Sequence, residues 1–123
     1  MDIIISNDSD KPIYEQITSQ IKNQIMQGSL REGDALPSMR TLAKELRISV
    51  ITTKRAYEEL EREGFITTVV GKGSFIKAAD MRLLREENLK RIEEHFQEAI
   101  RIASESGVTR QELEEIFAIL YEG

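Results

Sequence analysis

The sequence predicts a mainly helical fold of the α+β class, in which a helix-turn-helix is followed by a β-hairpin and then by two further helices. Two helical segments are joined only by a short link at residues 47–48, which favours a steep crossing between them. The β-branched residues 67–70 and the residues 74–76 flank a Gly-Lys-Gly sequence, a pattern typical of a hairpin. Residues 79–106 contain no glycine or proline, which indicates a long helix. We therefore predict a first domain at residues 1–78 and a helical tail at residues 79–123.

Composition and charge exclude several classes of protein. The chain has 123 residues, 40% of them hydrophobic and 32% charged, which suits one compact domain with an extension. It has no cysteine, no membrane-length apolar run and no secretion signal, so we expect a cytoplasmic protein without membrane contact. The net charge of −5 arises in the tail: residues 1–78 hold 11 basic and 11 acidic residues, whereas residues 79–123 hold 6 and 11. Residues 40–55 hold 5 basic residues and a single acidic one, which makes a local basic patch.

The first helix is predicted to begin at Pro12, which suits a first helical turn because it has no N–H group. Residues 3–5, three isoleucines, precede it either as an edge strand or as a partly ordered arm. Gly28 is the stop signal of this helix. Its predicted apolar stripe consists of Tyr14, Ile17, Ile21 and Ile25.

The second helix is predicted between a short strand at residues 30–36 and the link at residue 47. Pro37 disfavours a helical conformation in the residue before it, and Ser38 is a candidate N-cap. Arg40 lies in the first turn, on the outer side. The inner face consists of Leu42, Ala43 and Leu46.

The third helix, from Ser49 to about residue 63, is the element that we expect to carry the function. Ser49 is a candidate N-cap, since its hydroxyl can accept from a free N–H group of the first turn. The predicted core residues are Ala56, Tyr57 and Leu60. The opposite side carries Val50, Ile51, Lys54 and Arg55, with the hydroxyls of Thr52 and Thr53 nearby. Methyl groups, short hydroxyls and cations in the first turns of a helix suit the major groove of DNA.

The order and spacing of these residues match a known family over roughly the first two-thirds of the chain. The matching residues are Leu36-Pro37-Ser38-Met39-Arg40, Leu42-Ala43, Leu46, Ile48-Ser49, Thr52, Ala56-Tyr57, Leu60, Glu63-Gly64-Phe65-Ile66 and Gly71-Lys72-Gly73-Ser74-Phe75-Ile76. The segment closely resembles the winged-helix domain of the GntR family of bacterial transcription regulators, and the short tail is most similar to the YtrA subfamily. The resemblance implies a winged helix-turn-helix DNA-binding domain followed by two C-terminal helices for dimerisation. It also implies a dimeric repressor of a transporter-type operon, bound to a palindromic double-stranded operator.

The hairpin after the helix-turn-helix looks like a wing, whose glycines let the main chain approach the minor groove or the backbone of DNA. Lys72 can neutralise a phosphate there, although a plain hairpin with a solvated lysine is the alternative. In the resembling family the arginine that matches Arg40 contacts DNA. The start of the first helix lies near the backbone in that family, so Tyr14 either touches phosphate or packs in the core. The predicted DNA-binding residues are Ser38, Arg40, Ser49, Val50, Ile51, Thr52, Lys54, Arg55, Gly71, Lys72 and Gly73.

The tail is predicted to hold two amphipathic helices that form a homodimer interface. The first ends at Gly107, and a capping box of Thr109 and Glu112 begins the second. A heptad-like seam consists of Leu89, Ile92, Phe96, Ala99 and Ala103. Packing of the two helices on each other hides only part of their apolar faces, so the remainder needs a second chain. The predicted dimerisation residues are Leu89, Ile92, Phe96, Ala99, Leu113, Ile116, Phe117 and Leu120.

The sequence contains no catalytic constellation, and we predict no enzyme activity, cofactor or bound metal. His95 is the only histidine, and a metal site would need partner ligands that the sequence does not supply. Two binding functions remain: a DNA-binding regulator, or a winged-helix module for protein–protein assembly with Val50 and Ile51 as contacts. The neighbouring basic residues favour DNA. A small-molecule effector of unknown identity is an open partner.

Overall fold

The structure, a computed structural model, describes residues 1–77 and 81–123. Its elements are α1 (Ile13–Met26), α2 (Met39–Leu46), α3 (Val50–Arg62), β1 (Ile66–Val69), β2 (Gly73–Ile76), α4 (Met81–Ser106) and α5 (Arg110–Glu122). This order confirms the predicted fold class, mainly helical with a small antiparallel sheet. The chain divides into two compact units, Met1–Ala79 and Asp80–Gly123. The domain boundary predicted between residues 78 and 79 lies outside the described residues.

The core of the first unit lies where α3 packs against α1 and α2. Most of its fully buried side chains come from the helical stripes that the sequence predicts, and Thr53 of α3 and Ile66 at the start of β1 join them. The largest are Ile17, Ile21, Leu42, Thr53, Tyr57, Leu60 and Ile66. Complete burial of one large aliphatic side chain contributes about 1.5–3 kcal/mol. This core therefore fixes the inner side of α3 and leaves the opposite side of that helix exposed.

The hairpin pairs β1 with β2 in antiparallel register, with Ile66 opposite Ile76. The strand predicted at residues 30–36 is wrong, because in that segment only Ala35 forms a bridge, opposite Phe75. The segment begins with a turn, in which the Asp34 N–H donates to the carbonyl of residue 31, and too few extended residues remain for a strand. The segment still lies along the edge of β2 that does not face β1, since the N–H groups of residues 33 and 36 donate to carbonyls of β2.

The isoleucine segment at the N-terminus is an ordered arm and not the edge strand that was one of its two expected forms. Side-chain amides of three glutamines on α1 hydrogen-bond to its backbone over distances of 2.7 to 2.9 Å. The pairs are Gln16 with Ser6, Gln20 with Ile4, and Gln24 with Asp2. Four helical residues advance about 6 Å, close to the advance of two extended residues. Glutamines at four-residue spacing therefore meet every second residue of the arm. Their side-chain amides form the hydrogen bonds to its backbone that a neighbouring strand would form in a sheet.

The second unit is a helical hairpin of α4 and α5. The Thr109 hydroxyl accepts a hydrogen bond from the Glu112 N–H at 3.2 Å, which confirms the predicted N-cap of α5. The Glu112 carboxylate reaches back as predicted and accepts a hydrogen bond from the Thr109 hydroxyl at 3.2 Å. The rings of Phe96 and Phe117 lie 6.3 Å apart in a tilted arrangement and connect the two helices.

Candidate nucleic-acid interface

The start of α2 is anchored to the core by a buried tyrosine. The Tyr57 hydroxyl donates to the Pro37 carbonyl at 2.7 Å, and burial of the phenol raises the pKa of Tyr57, so the hydroxyl stays a donor. The Ser38 hydroxyl accepts from the Thr41 N–H at 3.1 Å, which confirms the predicted N-cap. Arg40 is the second residue of this anchored helix, and its side chain is exposed. The fold therefore fixes the backbone from which Arg40 extends.

The link between α2 and α3 is a sharp turn at Arg47. Its φ of 57° is left-handed, and Arg47 is the one non-glycine residue with positive φ in the described ranges. The Ile48 N–H donates to the Ala43 carbonyl at 3.0 Å, which closes the end of α2. Left-handed backbone costs a non-glycine residue roughly 1–2 kcal/mol, so packing on both sides must hold this turn.

The first turn of α3 is capped as the sequence predicts. The Ser49 hydroxyl accepts from the Thr52 N–H at 3.1 Å and lies 2.8 Å from the Thr52 hydroxyl. These two hydroxyls, both predicted to contact DNA, are thus engaged with each other. The expectation that the Thr53 hydroxyl is available nearby is wrong, since Thr53 is fully buried and its hydroxyl donates to the Ser49 carbonyl. Its position on the core face of α3 explains this.

Exposed methyl groups dominate the outward side of this first turn. Ile51 exposes 80% of its surface and Val50 exposes 45%. Each is followed one turn later by a cation, Lys54 after Val50 and Arg55 after Ile51. The outward side of α3 therefore alternates aliphatic and positively charged groups.

The predicted DNA-binding cations differ in how they are held. Within the described residues, Arg40 and Lys72 are exposed and have no hydrogen-bond or ion-pair partner for their side chains. The Lys54 ammonium lies 3.8 Å from the Glu58 carboxylate, and both side chains are largely exposed, so this ion pair is weak. Arg55 lies over the ring of Tyr14, with its guanidinium carbon 3.9 Å from the ring centroid. The sequence placed Tyr14 on the core stripe of α1 and did not connect it to Arg55.

The wing has a short tip between β1 and β2. The Lys72 N–H donates to the Val69 carbonyl at 2.9 Å, and Gly71 and Gly73 both have positive φ, a conformation that other residues rarely adopt. Val70 exposes 97% of its surface at this tip. The sequence assigned Val70 to the strand, and its place beside the Gly-Lys-Gly turn was the only signal of its exposure.

The predicted dimerisation residues lie on the apolar faces of α4 and α5. Phe96 and Phe117 remain about half exposed, at 49% and 50%, although their rings face each other. Leu120 is 74% exposed, whereas Leu113 is half-buried. An open groove of about 730 Å³ lies between the helices, lined mainly by apolar side chains. The contacts inside this unit thus leave a large apolar surface exposed.

Among the described residues no group of three or more histidine, cysteine, aspartate or glutamate residues could hold a metal ion. No helix within residues 1–77 and 81–123 combines the length and the apolar character needed to cross a bilayer.

Comparisons with known proteins agree with this geometry. The family profile described as "Bacterial regulatory proteins, gntR family" matches residues 13–76. The chain is 39% identical over 107 residues to the HTH-type transcriptional repressor YtrA of Bacillus subtilis (strain 168). The aligned residues cover 87% of this chain and 82% of that protein. A GntR family transcriptional regulator from Listeria monocytogenes is similar in structure, with a TM-score of 0.66, 33% identity and coverage of 94% and 98%. YtrA from Sulfolobus acidocaldarius, a GntR-family transcription factor, gives a TM-score of 0.61, 38% identity and coverage of 73% and 95%. The profile match begins at the first residue of α1 and ends at the last residue of β2.

Proposed function

The chain belongs to the gntR family of bacterial regulatory proteins, and on that premise we propose that it is a dimeric repressor bound to a palindromic operator. It is a transcriptional regulator with a helix-turn-helix DNA-binding domain, and its family and relatives are regulators rather than enzymes. The proposal adds the dimer, the operator symmetry and the residues that contact DNA. It also places the protein in the cytoplasm.

The observation that carries the DNA contact is the exposed side of α3, where methyl groups and cations alternate. We propose that Ile51 and Val50 contact thymine methyl groups in the major groove and that Lys54 neutralises a phosphate. Arg40 extends from the anchored start of α2 with an unpaired fork, the geometry that suits a guanine edge or a phosphate. Lys72, at the tip of the wing, supplies a further phosphate contact.

We propose residues 1–78 as the DNA-binding domain and residues 79–123 as the dimerisation domain. The half-exposed seam of α4 and the outer face of α5 support this division, because exposed apolar surface of this extent is uncommon on a monomer. A second copy that packs on the same face would cover the groove between the helices. Two-fold symmetry of the protein then requires a palindromic operator with two equivalent half-sites.

Repression is proposed from the name of the Bacillus subtilis relative, a transcriptional repressor. Control of a transporter-type operon is proposed from the family resemblance. A small-molecule effector that regulates DNA binding is a further proposed partner.

The proposal is tested by selecting bound duplexes from a random DNA library with the full-length protein, followed by footprinting upstream of its own gene. We expect enrichment of an inverted repeat and protection of the same repeat in the footprint. Selection of no sequence above a non-specific duplex would contradict the proposal and favour the protein-assembly function. The exposed Val50, Ile51 and Val70 would then be protein contacts.

The dimer is tested by light scattering at micromolar concentration. The full-length protein should scatter as a dimer, and Phe117→Glu should scatter as a monomer because it places a charge in the apolar face. Gln97→Glu, at an exposed position of α4 that does not line the groove, is the matched control for the added charge. A monomeric wild-type protein would refute the dimer.

A further inference from the structure

The pair of Tyr14 and Arg55 joins the beginning of α1 to the exposed side of α3. The guanidinium carbon of Arg55 lies 3.9 Å from the centroid of the Tyr14 ring, inside the range of an attractive cation–π contact. Tyr14 is half-buried and Arg55 is exposed, so the pair lies at the surface of the first unit. Arg55 follows Ile51 by one helical turn, which places it on the same stripe of α3 as the proposed major-groove contact.

The contact holds the arginine without consuming its hydrogen-bond donors. The guanidinium carbon lies over the ring, and a cation–π contact engages the charge of the group and not its N–H donors. Within the described residues, no N–H group of Arg55 has a hydrogen-bond or ion-pair partner. An arginine held in this way loses less side-chain freedom when it binds an anion than a freely mobile one does.

The acidic side chains that follow Arg55 in the sequence form no ion pair with it, and the nearest of them, Glu58, lies 3.8 Å from the Lys54 ammonium. Glu59 accepts a hydrogen bond from Arg62, and that contact is the largest cause of the lowered pKa of the Glu59 carboxyl. Glu63 pairs with Lys22 across helices at 2.6 Å. Arg55 influences Glu59 through its charge without forming an ion pair with it. Its positive charge is therefore available to a ligand outside the chain.

We infer that Tyr14 is a positioning residue that holds Arg55 as a preorganised clamp for a DNA phosphate at the edge of the operator contact. The inference rests on the proposed function, that the chain binds DNA through the exposed side of α3. It assigns Tyr14 a role in the alignment of a cation rather than a direct contact of its own. It also gives Arg55 a different role from Lys54, because Lys54 is held by no aromatic ring and its ammonium lies near the Glu58 carboxylate of the same helix.

The test measures binding of full-length variants to the inverted repeat recovered from the random library, as a function of salt concentration. Arg55→Gln should weaken binding about tenfold and lower the slope of log affinity against log salt by about 0.9 per half-site. Tyr14→Leu should weaken binding about fivefold with an unchanged slope, because the charge of Arg55 remains. Tyr14→Phe keeps the ring and should bind within twofold of the wild type. The double variant Tyr14→Leu/Arg55→Gln should bind no more weakly than Arg55→Gln alone.

A matched control separates positioning from stability. Ile25→Ala weakens the packing of α1 at the opposite end of that helix from Tyr14, and should bind DNA as the wild type does below its melting temperature. Equal losses of affinity in Tyr14→Leu and Ile25→Ala would overturn the inference, as would an unchanged salt slope in Arg55→Gln. Should Tyr14→Leu not fold, Arg55→Lys serves in its place: weaker binding with an unchanged slope supports the clamp, and wild-type binding overturns it. Failure of the wild-type protein to select any duplex would instead refute the proposed function.

Discussion

Replacement of Ile51 by alanine should remove the response of operator binding to the thymine methyl group that Ile51 contacts. Ile51 exposes 80% of its surface in the first turn of α3, so nearly the whole side chain is free to be buried on DNA. Burial of one methyl-sized group contributes about 0.8 kcal/mol, or about a fourfold change in affinity. A dimer on two equivalent half-sites doubles that free energy. Uracil in place of the contacted thymine in both half-sites should therefore weaken the wild-type protein about fifteenfold.

The assay is a fluorescence titration of the selected operator, with each thymine replaced in turn by uracil, which lacks only the C5-methyl group. At the thymine that Ile51 contacts, Ile51→Ala should bind the thymine and uracil duplexes equally, and Ile51→Val should show an intermediate response. Circular dichroism confirms that each variant is folded. A uracil penalty of the same size in the wild type and in Ile51→Ala would refute the contact, and so would the absence of any penalty in the wild type.

Three further outcomes follow from the same geometry. Arg40→Ala should cost about 1–3 kcal/mol in specific binding and relax the preference at one base pair per half-site of a randomised library; wild-type preference in a folded variant would exclude a base contact. Lys72→Ala should weaken binding to all DNA sequences by a similar factor and lower the salt slope by about 0.9 per half-site, and an unchanged slope would exclude a phosphate contact. Tyr57→Phe should lower the free energy of unfolding by about 0.5–1.5 kcal/mol in thermal melts, because the part-buried Pro37 carbonyl loses its donor. Because the pKa of Tyr57 is raised in the folded protein, the neutral phenol stabilises the fold below a pH of about 10, and this stabilisation is lost as the pH rises further. The loss of stability at alkaline pH should therefore be smaller in Tyr57→Phe.

The helix starts and the core were predictable because they depend on short-range patterns. Ser38, Ser49 and Thr109 each cap a helix as expected, since a cap requires only a hydroxyl before the first turn. Tyr57 and Leu60 are buried because helical spacing places them on one side of α3. Such features are fixed within one turn of the chain and need no knowledge of how the helices pack.

The features that the sequence did not reveal depend on contacts between distant segments. The position of Arg55 depends on the packing of α1 against α3, which brings Tyr14 beneath it, and no local pattern marks that pairing. The glutamines of α1 have the spacing of an ordinary solvated helix face, so their sequence pattern does not predict hydrogen bonds to the arm. The hydroxyl of Thr53 was misplaced because a one-residue step on a helix separates an exposed side chain from a buried one.

The glutamine pairs on α1 also limit how much of the N-terminal arm can be held. Each step of four helical residues advances about 6.0 Å, whereas two extended residues advance about 6.6–6.8 Å. The mismatch accumulates to roughly 1.5 Å over the two steps between the three observed pairs. The next position at this spacing is Gly28, which lies beyond the end of α1 and has no side-chain amide. Extra residues added before Met1 therefore gain no such partner, whatever their sequence. Deletion of one residue between Ser6 and Pro12 would shift the arm by one position and turn the paired N–H and C=O groups away from the glutamines.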